Sequence, residues 1–92
     1  MIVVGEVIVT ARLMPESPEV NLEEIGEAAK KVVEESGKFG KMETQPIAFG
    51  LKALVLHFIV PEQEGGTDEI EKKLAEIPHI QSVEIVDVRR AL

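Results

Sequence analysis

The residues whose types and spacing could do chemistry are His57, His79, the carboxylates from Glu23 to Glu35, the run Gly65-Gly66-Thr67, the aromatic Phe49 and the pair Arg89-Arg90. Covalent transfer needs a nucleophile beside a base, or carboxylates facing one another across a pocket. No spacing in this chain nominates either. His57 and His79 have no second histidine two or four residues away and the chain has no cysteine, so metal ligation is weakly supported and both read as structural histidines. Glu23, Glu24, Glu27, Glu34 and Glu35 spread around a helix surface instead of converging, as a solvated face does. Gly65-Gly66-Thr67 before a helix has the form of a phosphate cradle. Glu62, Glu64, Asp68 and Glu69 surround it, however, and no lysine follows as in a Walker loop, so it reads as a turn with a helix cap.

Two features resist so plain a reading. Phe49 sits in Ile47-Ala48-Phe49-Gly50-Leu51, at what should be a tight hairpin apex, where Asn, Asp or Gly is expected. The ring either folds back on the core or stands out as an interface anchor. The second feature is Asp87-Val88-Arg89-Arg90-Ala91-Leu92, the only Arg pair in an acidic chain, placed where the last strand is expected to leave the sheet. It is either a generic basic tail or a guanidinium pair on a short tether that enters a partner's anionic site.

The elements that must position these residues follow from periodicity. Val7, Val9, Ala11 and Leu13 alternate with Glu6, Thr10 and Arg12, the pattern of a half-buried strand, broken at Met14-Pro15-Glu16-Ser17-Pro18. Asn21 with Glu24 three residues on reads as a capping-box variant. Leu22, Ile25, Ala29, Val32 and Val33 then predict an amphipathic helix over residues 22–36, closed by Gly37 as a C-terminal cap. Gly40 and Pro46 interrupt residues 38–48, which suits an edge strand. From Leu51 to Val60 both alternating sets are apolar, so this strand is central. Thr67 can cap a second helix that carries Ile70, Leu74 and Ile77 inward and stops at Pro78, and the last strand runs from Ile80 to Val88. The order strand, helix, strand, strand, helix, strand predicts an α+β fold. It is the ferredoxin-like βαββαβ arrangement, a four-stranded antiparallel sheet with two helices on one face.

Ninety-two residues suffice for one domain, 1–92, around one core. The net charge of −7 repels phosphate backbones and anionic lipid, and three Phe without Trp or Tyr cannot readily build a base-stacking platform; nucleic acid is therefore not expected as a direct partner. The longest uncharged apolar run, Ala53 to Val60, is too short to span a bilayer, and the N-terminus lacks the basic flank and cleavage site of a signal peptide. The expected location is cytoplasmic, with no membrane contact.

Four blocks then bear a resemblance. Leu13 to Pro18, Pro46 to Leu54, Glu64 to Asp68 and Val86 to Arg90, in this order and spacing, resemble the archaeal translation elongation factor 1-beta family along essentially the whole chain. The resemblance implies a ferredoxin-like exchange domain acting on elongation factor 1-alpha, the GTPase that carries aminoacyl-tRNA, with GDP, GTP and Mg²⁺ bound on that partner. It implies no covalent chemistry, and no cofactor or metal held by this chain. By the same resemblance, Phe49 matches an aromatic that inserts into the GTPase's nucleotide-binding domain. Gly50 and Lys52 match the Gly and basic residue that follow it, and Ile47 joins them as partner-binding. Arg90 aligns with a C-terminal lysine of the eukaryotic proteins that reaches the magnesium site. This chain departs in having Arg there and Ala91 as the penultimate residue, so Arg89 and Arg90 both stand as candidates. Two alternatives remain on the same fold. One is a small regulatory or ligand-binding dimer; the other is an acylphosphatase-like enzyme, which needs an Arg loop with an Asn nearby, whereas the sole Asn, Asn21, is a helix cap.

Overall fold

Strict alternation produces the first strand. In the computed structural model, which describes residues 5–61 and 68–91, β1 (Glu6–Pro15) buries Val9, Ala11 and Leu13 completely on one face and leaves Thr10 and Arg12 half-buried on the other. The strand continues through Met14 and Pro15, past the expected break. Pro15 is buried, and a register shift against the last strand between Met14 and Pro15 accommodates a residue that has no N–H to give.

Helix α1 (Leu22–Ser36) has the expected bounds. The Asn21 side-chain oxygen accepts the Glu23 N–H at 2.9 Å, and no reciprocal bond from Glu24 occurs among the described residues, so the start is an asparagine cap and not a full capping box. Gly37 follows the helix, and its N–H donates to the Val33 carbonyl at 2.8 Å. Its φ of −170° is extended, so it is no left-handed cap. A Cβ on Gly37 would lie 2.1 Å from the Ile59 carbonyl oxygen; close approach to a neighbouring strand is what demands glycine here.

Strand β2 (Lys38–Pro46) is exposed along nearly its whole length, as an edge must be, and bulges between Phe39 and Lys41. Strand β3 (Lys52–Pro61) lies between β2 and β1 and buries Leu54, Leu56, Phe58 and Val60. Helix α2 (Asp68–Ala75) ends before the expected stop. Ile77 is buried but sits in the following turn, its N–H on the Leu74 carbonyl, because Pro78 disfavours helical backbone in the residue before it. The Thr67 cap and the Gly65-Gly66 turn lie outside the described residues.

Strand β4 (Ile80–Ala91) extends three residues beyond the expected Val88. The sheet order is β2-β3-β1-β4, with every neighbouring pair antiparallel. Ile25, Ala29 and Val33 of α1 and Ile70 and Leu74 of α2 join one cluster with Val9, Ala11, Leu13, Leu54, Leu56 and Phe58. Those strand residues share a single face, so both helices cover that face and the other is open. This is the ferredoxin-like βαββαβ fold. Phe58, 1% exposed, is its largest fully buried side chain, and its truncation would cost about 3–5 kcal/mol. No helix among the described residues is long and apolar enough to cross a membrane.

Candidate functional site

The β2–β3 hairpin closes on two bonds: the Ile47 N–H donates to the Leu51 carbonyl and the Leu51 N–H to the Ala48 carbonyl, each at 2.9 Å. Phe49 and Gly50 are then the two central residues of the turn, with φ of +54° and +79°, the signs of a type I′ turn. Glycine adopts this conformation freely; a phenylalanine held there costs roughly 1 kcal/mol. The ring gains no burial in return, since Phe49 is 97% exposed. Of the three phenylalanines, Phe58 lies in the core and Phe39 is half-buried with the Lys30 ammonium 5.7 Å from its ring centre, which leaves Phe49 as the one displayed to solvent. Ile47 beside it is 42% exposed, and Lys52 opens β3 just behind the turn.

The hairpin does not stand alone. The β1–α1 loop backs it: a Cβ built on Gly50 would touch the Pro18 ring at 4.0 Å, and a groove of about 380 Å³ bounded by Pro18, Leu22, Gly50 and Lys52 runs between the two. On the loop's other flank the α2–β4 turn carries His79, at φ +70° the other non-glycine residue among those described with positive φ. The Glu16 N–H donates to the His79 carbonyl at 3.0 Å, and the His79 imidazole stands 3.6 Å from the Glu16 carboxylate. Both strained residues therefore sit at one end of the sheet, in the company typical of functional sites. The sequence alone marks His79 as a structural histidine and gives the loop no role. The available signal was a histidine directly before the last strand, a residue type enriched in left-handed backbone.

The arginines lie elsewhere. They are not on a tether that leaves the sheet: Arg89 pairs with Ile8 and Arg90 with Val7, inside the β4–β1 ladder. The ladder holds because Val9 and Val88 still pair within it and the chain continues to Ala91. Alternation sends the two side chains to opposite faces, Arg90 to the side of the buried β1 residues and Arg89 to the open face. There the Arg89 Nε donates to the Asp87 carboxylate at 2.7 Å. The open face also carries the Arg12–Glu84 ion pair and a small polar row in which Thr10 Oγ1 and His57 Nδ1 lie 3.2 Å apart. Glu43 reaches toward His57 at 3.6 Å and toward Lys41 at 3.3 Å, and the Lys41 ammonium, with a lesser contribution from His57, holds the Glu43 carboxyl below its ordinary value. His57 is thus a structural member of this row, and no cluster of potential metal ligands occurs among the described residues.

Fold and site together define an α+β domain of ferredoxin-like topology that displays an aromatic side chain on a strained turn. The chain belongs to the EF-1 guanine nucleotide exchange domain family, whose profile matches residues 8–91. It is 46% identical over 88 residues to elongation factor 1-beta of Methanobrevibacter smithii, which spans 96% of this chain and 99% of that relative. It is 42% identical to the protein of the same name from Sulfolobus acidocaldarius (92% of this chain, 96% of the relative) and 35% identical to that of Nanoarchaeum equitans (87% and 99%). Guanine-nucleotide exchange in translation elongation is its function.

Proposed function

We propose that this chain, as one exchange domain over residues 1–92, releases GDP from elongation factor 1-alpha in the cytoplasm and lets GTP reload it. It does so by binding the nucleotide-free GTPase more tightly than the loaded one. Only such differential affinity shifts the equilibrium, and by linkage the returning nucleotide expels the exchange factor to the same degree. No covalent step is required, and GDP, GTP and Mg²⁺ stay on the partner. The net charge of −7 supports a protein partner over nucleic acid or an anionic membrane.

The observation that carries this reading is Phe49, 97% exposed at φ +54°. A side chain displayed at a cost to folding is explained by what it enters on binding. Ile47, Gly50 and Lys52 form the rim of that contact. Arg90, on the opposite face of β4 from Arg89, approaches the GTPase's magnesium site, where a cation competes with Mg²⁺ for its ligands. Release of labelled GDP from purified elongation factor 1-alpha, with and without this protein, is the test; an unchanged rate at saturating protein would refute the proposal.

A further inference from the structure

A groove of about 570 Å³ lies on the other side of the β1–α1 loop from the hairpin, between the start of α1 and the α2–β4 turn. Its wall is apolar where Val20, Ile25, Ala28 and Ile77 line it, with Ile25 and Ile77 buried and Val20 and Ala28 half-buried. Glu19 and Glu24 also line it; both are exposed, and neither forms an ion pair with any described residue. The groove-lining His79 already faces the Glu16 carboxylate.

This combination selects among occupants. A wholly apolar side chain seated here would strip water from two carboxylates and give them nothing in exchange. An anionic group would meet like charge. A long cationic side chain satisfies both parts, since its methylene stem lies along the apolar wall while its head reaches the carboxylates. We infer that the groove receives a lysine or arginine side chain of the nucleotide-free GTPase, as a second contact at the Phe49 end of the molecule. This rests on the exchange reading above. The positive φ of His79 at the groove's edge agrees with a contact surface there, because strained backbone gathers at sites that bind.

Two variants test the groove independently of the hairpin. Glu19→Gln with Glu24→Gln removes the charge and keeps the shape; Ala28→Leu fills the groove and keeps the charge. Binding to nucleotide-free elongation factor 1-alpha is measured by titration at several salt concentrations, with thermal melting as the control for folding. Both variants should bind about tenfold more weakly while melting close to wild type, and the Gln pair alone should flatten the salt dependence. Wild-type affinity in the Gln pair overturns the proposal. Loss in the Gln pair with wild-type affinity in a well-folded Ala28→Leu also overturns it, because the carboxylates would then steer the partner from a distance without seating a side chain. A dimer in light scattering that Ala28→Leu dissolves would give the groove to a second copy of this chain and overturn it as well. Failure of the wild-type protein to bind at all would strike the exchange reading itself, a result distinct from all of these.

Discussion

Phe49 and Arg90 stand at opposite ends of the sheet. Arg90 pairs with Val7, which pairs in turn with Val60 near the end of β3, whereas Phe49 lies just ahead of Lys52 at its beginning. Eight residues separate Lys52 from Val60, so at about 3.3 Å per residue the two side chains are roughly 30 Å apart. A partner that engages both must lie along the sheet, and each end becomes separable by mutation.

Phe49→Ala should weaken binding to elongation factor 1-alpha by about 2 kcal/mol or more, in the hot-spot range, while leaving the melting temperature almost unchanged. Phe49→Asn should weaken binding similarly yet stabilise the fold by about 0.5–1 kcal/mol, because asparagine tolerates the left-handed backbone that phenylalanine resists. Titration of the GTPase and thermal melting check both. A large loss of stability in Phe49→Ala would contradict the exposure of the ring.

Arg90→Ala should fold and dock normally and lose most of its stimulation of GDP release, since a charge that acts while Mg²⁺ and nucleotide depart contributes to the rate more than to docking. Arg89→Ala should lose less, as its guanidinium is bonded to Asp87 on the opposite face. Arg90→Lys should keep part of the activity. In excess chelator the gap between wild type and Arg90→Ala should shrink; a constant ratio would reduce Arg90 to an ordinary contact.

Gly37→Ala should destabilise the protein by about 1–3 kcal/mol in denaturant unfolding. The added methyl meets the Ile59 carbonyl and the Val60 side chain, and the backbone must move to admit it. The extended φ means that no left-handed strain contributes, so Gly37→Ser should behave alike.

Glu43 introduces a pH dependence of definite sign. Its folded carboxyl is held below the ordinary value of 4.5, first by Lys41, so its contribution to stability is present above that value and is lost as pH falls through the folded pKa. The difference in melting temperature between wild type and Glu43→Gln should therefore be visible at neutral pH, shrink below about pH 4.5 and vanish once the residue is protonated in both states. Salt should reduce it throughout, because the group is exposed. A difference that grows with acidification would reverse the assignment.

Local pattern by itself determined much of this protein. Alternation marked β1 as a half-buried strand and the doubly apolar run marked β3 as central, and the spacing from Leu22 to Val33 with Gly37 beyond it marked out α1, because side-chain period is a property of a short segment. The element order then left one common topology, and Phe49 was conspicuous at an apex that favours Asn or Gly. What the tertiary structure alone decided depends on segments meeting at a distance. The register between β1 and β4 keeps Arg89 and Arg90 in the ladder and sets Arg90, not Arg89, on the side of the buried β1 residues, which no periodicity within Asp87–Leu92 reveals. The approach of the α1–β2 junction to β3 is the reason for Gly37. The contact of Glu16 with His79 and the groove beside it join residues some sixty positions apart in the chain, and the groove on the hairpin side joins residues some thirty apart. Periodicity reports which face of an element is buried; register and close approach depend on which other element lies against it, and that is fixed only when the chain has folded.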